Sequence, residues 1–214
     1  MKTSGPRFVN KQLLLSKEWM EIPLKSYHDG AVVVGDFFEE LSSVVFHSTY
    51  RLCTDGTADI CPDLFSTNGK EVIESKASSK RSGRQYLLFL HQLEMYGKYI
   101  KEQQKVVNYV FWVYDVGQKV GDFKTRDQLR KGLSQGVVSA SVVPHDIVME
   151  MVAPKRVEGG SDRYPPFCRL RYPDIKKLAV TKTVRLKNIG TYEEVVNEFD
   201  VFFCKRSNGG EDGS

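Results

Sequence analysis

Apolar and polar positions along this chain change period several times, and each change predicts an element. Residues 57–65 and 71–77 read as two strands. Between them lies Ser66-Thr67-Asn68-Gly69-Lys70, and Asn-Gly flanked by apolar runs accepts the positive φ angles of a tight hairpin turn. Pro62 is compatible with the first strand only at an edge or a bulge. Residues 106–114, Val-Val-Asn-Tyr-Val-Phe-Trp-Val-Tyr, form a further β-rich run. Spacing by three and four dominates elsewhere. Tyr86, Phe89, Leu90, Leu93, Tyr96, Gly97 and Ile100 predict an amphipathic helix over 85–101. Phe38, Leu41, Val44 and Val45 form the apolar stripe of an earlier helix beginning near Gly35. Residues 13–27 also read as helical, with Leu14, Trp19, Ile22 and Leu24 apolar and Pro23 ending or kinking the helix.

The second half mixes the same two periods. Residues 125–134 read as a short helix with Leu129 and Leu133 inward and Lys124, Arg126, Arg130 and Lys131 outward. Strands are expected at 137–143, 167–172, 180–186 and 199–205, and a helix at 145–152. Thr191 is placed to cap a helix running to 197, with Glu193 and Glu194 in its first turn. Residues 154–166 form a polar loop around Gly159-Gly160, and residues 207–214 have the composition of a disordered tail. The interleaving implies an α/β fold, a mixed central sheet flanked by helices. Its expected parts are a helical segment at 1–29, a core at 30–116, an extension at 117–206 that completes or decorates the sheet, and the tail.

Composition narrows the picture modestly. At 214 residues and 41% hydrophobic, the chain can bury one substantial core. Its net charge of +4 is compatible with a polyanionic partner without identifying one. Cys53, Cys61, Cys168 and Cys204 contain no Cys-x-x-Cys pair, and His28, His47, His91 and His145 do not complete a zinc-finger spacing. That argues against zinc and for a reducing compartment. The N-terminus lacks an apolar signal core and no stretch reaches membrane-spanning length. The expectation is a cytoplasmic protein with no membrane partner.

The candidate chemistry sits on the hairpin. Pro62-Asp63, the turn and Glu74-Ser75-Lys76 bring together charges suited to metal-assisted phosphodiester cleavage. A hard cation such as Mg²⁺ is commonly held by one or two carboxylates, with water and substrate phosphate completing its shell. Asp63 and Glu74 can supply those carboxylates. Lys76, two residues beyond Glu74 on a strand, leaves the same face and puts an ammonium beside them. A bulge at Cys61-Pro62 would make Asp59 the alternative to Asp63. Just beyond, Lys80, Arg81 and Arg84 lie where a phosphate backbone would pass.

In these residues and their order the chain resembles the PD-(D/E)XK nuclease superfamily, the group of restriction endonuclease-like and Holliday junction resolvase-like enzymes. The resemblance covers about residues 30–116 and implies a restriction endonuclease-like core with a C-terminal β-rich extension. It implies Mg²⁺, or Mn²⁺ as substitute, held by Asp63, Glu74, Glu39 and the backbone carbonyl of Ser75. Glu39 stands four residues after Gly35, as in similar nucleases, and Glu40 is its rival, expected at solvent. Lys76 would orient or deprotonate the attacking water, and Gln92 would position a phosphate or the nucleophile. The implied activity is metal-dependent hydrolysis of DNA in recombination, repair or phage DNA processing. A sequence-specific restriction or homing endonuclease and a non-catalytic nuclease-fold DNA-binding protein are the alternatives. Expected partners are DNA and, as a further option, a second copy of the chain in a homodimer.

Overall fold

The structure, a computed structural model, describes residues 24, 27–45, 50–52, 62–66, 69–81, 83–160, 165–179 and 181–186. Outside these lie most of the expected helix at 13–27, residues 57–61 with Asp59, the helix at 191–197, the strand at 199–205 and the tail at 207–214. The elements are α1 (Tyr27–Val45), β1 (Tyr50–Leu52), β2 (Leu64–Ser66), β3 (Glu71–Ser79), β4 (Gln85–Phe89) and α2 (Leu90–Gln103). There follow β5 (Val106–Asp115), α3 (Arg126–Ser134), β6 (Val137–Pro144), α4 (His145–Val152), β7 (Phe167–Arg171), α5 (Tyr172–Leu178) and β8 (Thr181–Arg185).

Six strands form one mixed sheet in the order β1-β2-β3-β5-β6-β8, and β4 and β7 pair separately as a ribbon. Strand β3 runs parallel to β5, and the other pairs are antiparallel. A parallel pair needs a long crossover, which β4 and α2 supply here. Strand β5 is buried on both faces. Val110, Trp112 and Tyr114 point into a core under α1 and α3, while Val107, Tyr109, Phe111 and Val113 point into a second core under α2, α4 and α5. Burial on both faces is why residues 106–114 read as a continuous apolar run instead of an alternating one. The hairpin also forms, with Leu64 opposite Ile73, Phe65 opposite Val72 and Gly69 at φ 69° in the turn.

The helix expected to begin near Gly35 begins eight residues earlier, at Tyr27, and Pro62 and Asp63 lie outside the first hairpin strand, which starts at Leu64; three further expectations are corrected. The helix expected over 85–101 is a strand followed by a helix: Tyr86 and Leu88 are buried while Gln85 and Leu87 are exposed, the two-residue period of a strand paired with β7. Tyr86, Phe89, Leu90 and Leu93 satisfy the helical spacing too, and no side chain caps α2 at Phe89 to mark the boundary. Second, the strand expected through Tyr172 stops at Arg171, where Pro173 enters the first turn of α5. Third, Arg130 does not face solvent but is buried between α3 and α1.

Candidate active site

Strand β2 pairs with β3 only at Val72 and Ile73, so the outer edge of β3 from Glu74 onward has no strand partner among the described residues. Asp63 stands at that point, one residue before β2 and level with Glu74 by the hairpin register. Its Oδ2 accepts the Ser75 backbone N–H at 2.6 Å. Pro62 has no N–H to give a ladder, and its place just outside β2 leaves Asp63 free to turn back onto β3. Here the two helical layers meet, α1 reaching the edge from one face and α2 from the other.

Glu74 is only 2% exposed. One carboxylate oxygen receives Lys76 Nζ, as strand geometry required for residues two apart. The other receives the hydroxyl of Tyr96, from α2. Ser75 points the opposite way, towards α1: its Oγ lies 3.1 Å from Ser42 Oγ, and Trp112 Nε1 donates to Ser42 at 2.9 Å. Ser42 is three residues after Glu39, so the two share a helix face. The Trp112, Ser42, Ser75 chain therefore fixes the position of α1 against the sheet, and with it the position of Glu39.

The charges feel one another strongly. Burial, then Asp36 and Glu74, push the Glu39 carboxyl up to about 7, with Lys76 opposing. Asp63 is raised well above its ordinary range by burial, Glu74 and Glu39, against the pull of Lys76 and the Ser75 N–H. For Lys76, burial alone would lower the pKa, but Glu74, Asp63 and Glu39 outweigh it and hold the ammonium. Three carboxyl groups and one ammonium thus share a poorly solvated place, and Glu39 and Asp63 keep their protons to higher pH than usual because a full set of negative charges there is unfavourable. Among the described residues no three His, Cys, Asp or Glu side chains stand as a ready metal cage. Even so, the donor set fits a hard cation: all its ligands are oxygens, and added positive charge would relieve the repulsion that raises Glu39 and Asp63.

The remaining expected residues fall as follows. Glu40 was expected at solvent and is not there: α1 turns it towards α3, where Arg130 Nη2 donates to it at 2.5 Å and the guanidinium lies over the Phe37 ring. Adjacent helical residues diverge by about 100°, so Glu40 cannot share the position of Glu39. Gln92 is buried on α2, one turn before Tyr96 and on the same face. Lys80 and Arg81 sit at the far end of β3, about 13 Å or more along the strand from Lys76. They pair with Asp115 at 3.1 and 3.9 Å. Arg84 stands just before β4 with φ 53°, its carbonyl accepting the Tyr172 N–H at 2.8 Å. The residue that sequence reasoning missed is Tyr96, taken for core. Its signal was the four-residue step from Gln92, which placed both on the side of α2 that meets β3.

No protein-family model and no curated protein matches the sequence. Among solved structures the chain is similar to Archaeoglobus fulgidus Hjc, a Holliday junction resolvase from an archaeal hyperthermophile. The two are 12% identical, the match covers 68% of this chain and 89% of that one, and the TM-score is 0.38. A likeness of that size carries nothing about chemistry, which rests on the side chains themselves. No described helix is long and apolar enough to cross a membrane.

Proposed function

We propose that the protein is a metal-dependent nuclease that hydrolyses DNA phosphodiester bonds, acting on DNA in recombination, repair or phage DNA processing. The observation that carries this reading is the grouping of Glu39 from α1, Asp63 from the segment before β2, and Glu74 and Lys76 from β3 in one poorly solvated spot where their charges act on one another. A solvated hairpin would have no reason to bury that charge, because desolvating unpaired carboxylates is costly.

Glu39, Asp63 and Glu74 would hold Mg²⁺ or Mn²⁺, with the Ser75 carbonyl as a further ligand. The cation, when bound, supplies Lewis acidity towards the phosphate and lowers the pKa of water. Tyr96 fixes the orientation of Glu74 from behind. Lys76, held as the ammonium, places a positive charge beside the phosphate and orients the water that attacks phosphorus as the P–O bond to the leaving nucleotide breaks. Gln92, on the same helix face as Tyr96, is the candidate for positioning a phosphate. The basic residues Lys80, Arg81 and Arg84 would contact the backbone beyond the site.

The deciding experiment incubates the pure protein with Mg²⁺ or Mn²⁺ and supercoiled, linear, single-stranded and branched DNA, beside Asp63→Asn, Glu74→Gln and Lys76→Ala. Each substitution is expected to lower the cleavage rate roughly a thousand-fold or more while the fold persists. Near-normal cleavage by one variant would remove that residue from the site. Absence of metal-dependent cleavage on every substrate would reject the nuclease reading.

A further inference from the structure

We infer that the exposed face of the β4–β7 ribbon is a docking surface for duplex DNA, extending the basic loop after β3 into a strip that grips the backbone flanking the cleavage site. The inference rests on the nuclease reading for its biological sense but not for its physics. In the ribbon, Tyr86, Leu88, Cys168 and Leu170 face the core. The opposite face presents Gln85 and Leu87 from β4 and Arg169 and Arg171 from β7, in the register Gln85 opposite Arg171 and Leu87 opposite Arg169.

Neither strand puts a carboxylate on that face. The acids that meet these arginines come from flanking segments: Glu158 accepts from Arg169 Nε at 2.9 and 3.0 Å, and Asp174 lies 3.5 Å from Arg171. Arg169 and Arg171 remain 44% and 63% exposed, so these pairs are weakly held and can be exchanged for phosphate. An arginine fork suits a phosphate better than a lone carboxylate contact through Nε.

The ribbon is also joined to the loop. The turn carrying Lys80 and Arg81 leads into β4, and the Arg84 carbonyl accepts the N–H of Tyr172, the residue after β7. That bond holds Arg84, a non-glycine residue at φ 53°, in a conformation that few side chains adopt unaided. Arg84, one residue before Gln85, thus adjoins the end of the ribbon that carries Arg171, and Lys80 and Arg81 precede it by four and three residues in the chain. A five-residue strand spans about 17 Å, enough to meet several phosphates of a duplex carrying one charge per about 1.7 Å.

The test measures binding of a 20-base-pair duplex by fluorescence anisotropy without divalent metal, across a salt series, for the full chain and for Arg169→Ala/Arg171→Ala, Arg171→Ala and Arg169→Lys/Arg171→Lys. Each lost phosphate contact should lower the slope of log K against log salt by about 0.9, so the double alanine variant is expected to lose nearly 2 and the single variant nearly 1. The lysine pair should keep most of the slope, which separates charge from the packing of Arg169 on Phe167. Unchanged slopes in both alanine variants would overturn the inference, as would no duplex binding by the full chain. Equal or tighter binding of poly-glutamate, competing with the duplex, would also overturn it in favour of an acidic protein partner. A chain that loses slope in the variants but cleaves no DNA would leave the ribbon assignment standing and reject the nuclease reading alone.

Discussion

Glu39 and Glu40 are neighbours in sequence with opposite employments. Glu39 shares its electrostatic surroundings with Asp63 and Glu74, while Glu40 pairs with Arg130, whose side chain is only 9% exposed. Glu39→Gln is therefore expected to lower metal-dependent cleavage roughly ten- to a hundred-fold, with partial recovery at higher metal concentration. Glu40→Gln should leave cleavage nearly intact and instead destabilise the fold by roughly 1–3 kcal/mol, because a buried guanidinium loses its countercharge. Rate assays and urea midpoints on both variants decide the matter, and the reverse pattern would reassign the helix face. Residue by residue, the pairing of Glu74 with Lys76 was legible because a two-residue step on a strand fixes a face. The burial of Arg130 was not. Nothing local distinguishes an arginine facing another helix from one facing water, and the partner Glu40 is 90 residues away.

At the level of elements, α1 is held to β3 by a polar bridge in an otherwise apolar layer. The Trp112 indole N–H and the Ser75 hydroxyl both meet Ser42 Oγ. Ser42→Ala would leave the indole donor of a fully buried tryptophan without that acceptor, at a cost of about 1–3 kcal/mol. Since the same bridge sets the height of Glu39, the metal concentration needed for half-maximal cleavage should rise several-fold as well. Ser43→Ala is the control, its hydroxyl bonding only back to the Glu40 carbonyl of its own helix among the described contacts. Equal effects from the two substitutions would show that the bridge has no part in placing the site. The division of residues 85–101 into β4 and α2 was illegible for a related reason. Tyr86 and Leu88 are strand-like only because β7 lies beside them, and that strand begins 78 positions further on, Phe89 pairing with Phe167.

For the molecule as a whole, the uncompensated carboxylates make stability depend on pH and on metal together. The ordinary value for Glu39 is 4.5 and its folded value about 7, so over that window the folded chain binds more protons than the unfolded one. Its contribution to stability is complete below about pH 4.5 and is lost as pH rises through about 7, and Asp63 acts in the same direction. With chelator present, the melting temperature is expected to fall between about pH 5.5 and about pH 8, and Mg²⁺ or Mn²⁺ should restore more of it at the higher pH. Equal restoration at both would mean that the cation does not bind these carboxylates. The mixed sheet itself was legible from the alternation of periods. Its strand order was not, because a sequence pattern says which residues are buried and not which strand covers them.

The parallel pairing of β3 with β5 carries a consequence in time. A chain made from its N-terminus delivers Glu39, Asp63, Glu74 and Lys76 well before Asp115, the end of the strand against which β3 must lie. At ordinary rates of synthesis, about 5–20 residues per second, that interval lasts on the order of 2 to 8 seconds. Until it ends, Trp112 is not there to donate its indole N–H to Ser42, and α1 has no wall to hold Glu39 at its height. The nascent chain therefore carries every carboxylate of the proposed cutting centre without the means to align them, and on the nuclease reading the site stays unassembled beside the ribosome and its RNA until the central strand has emerged.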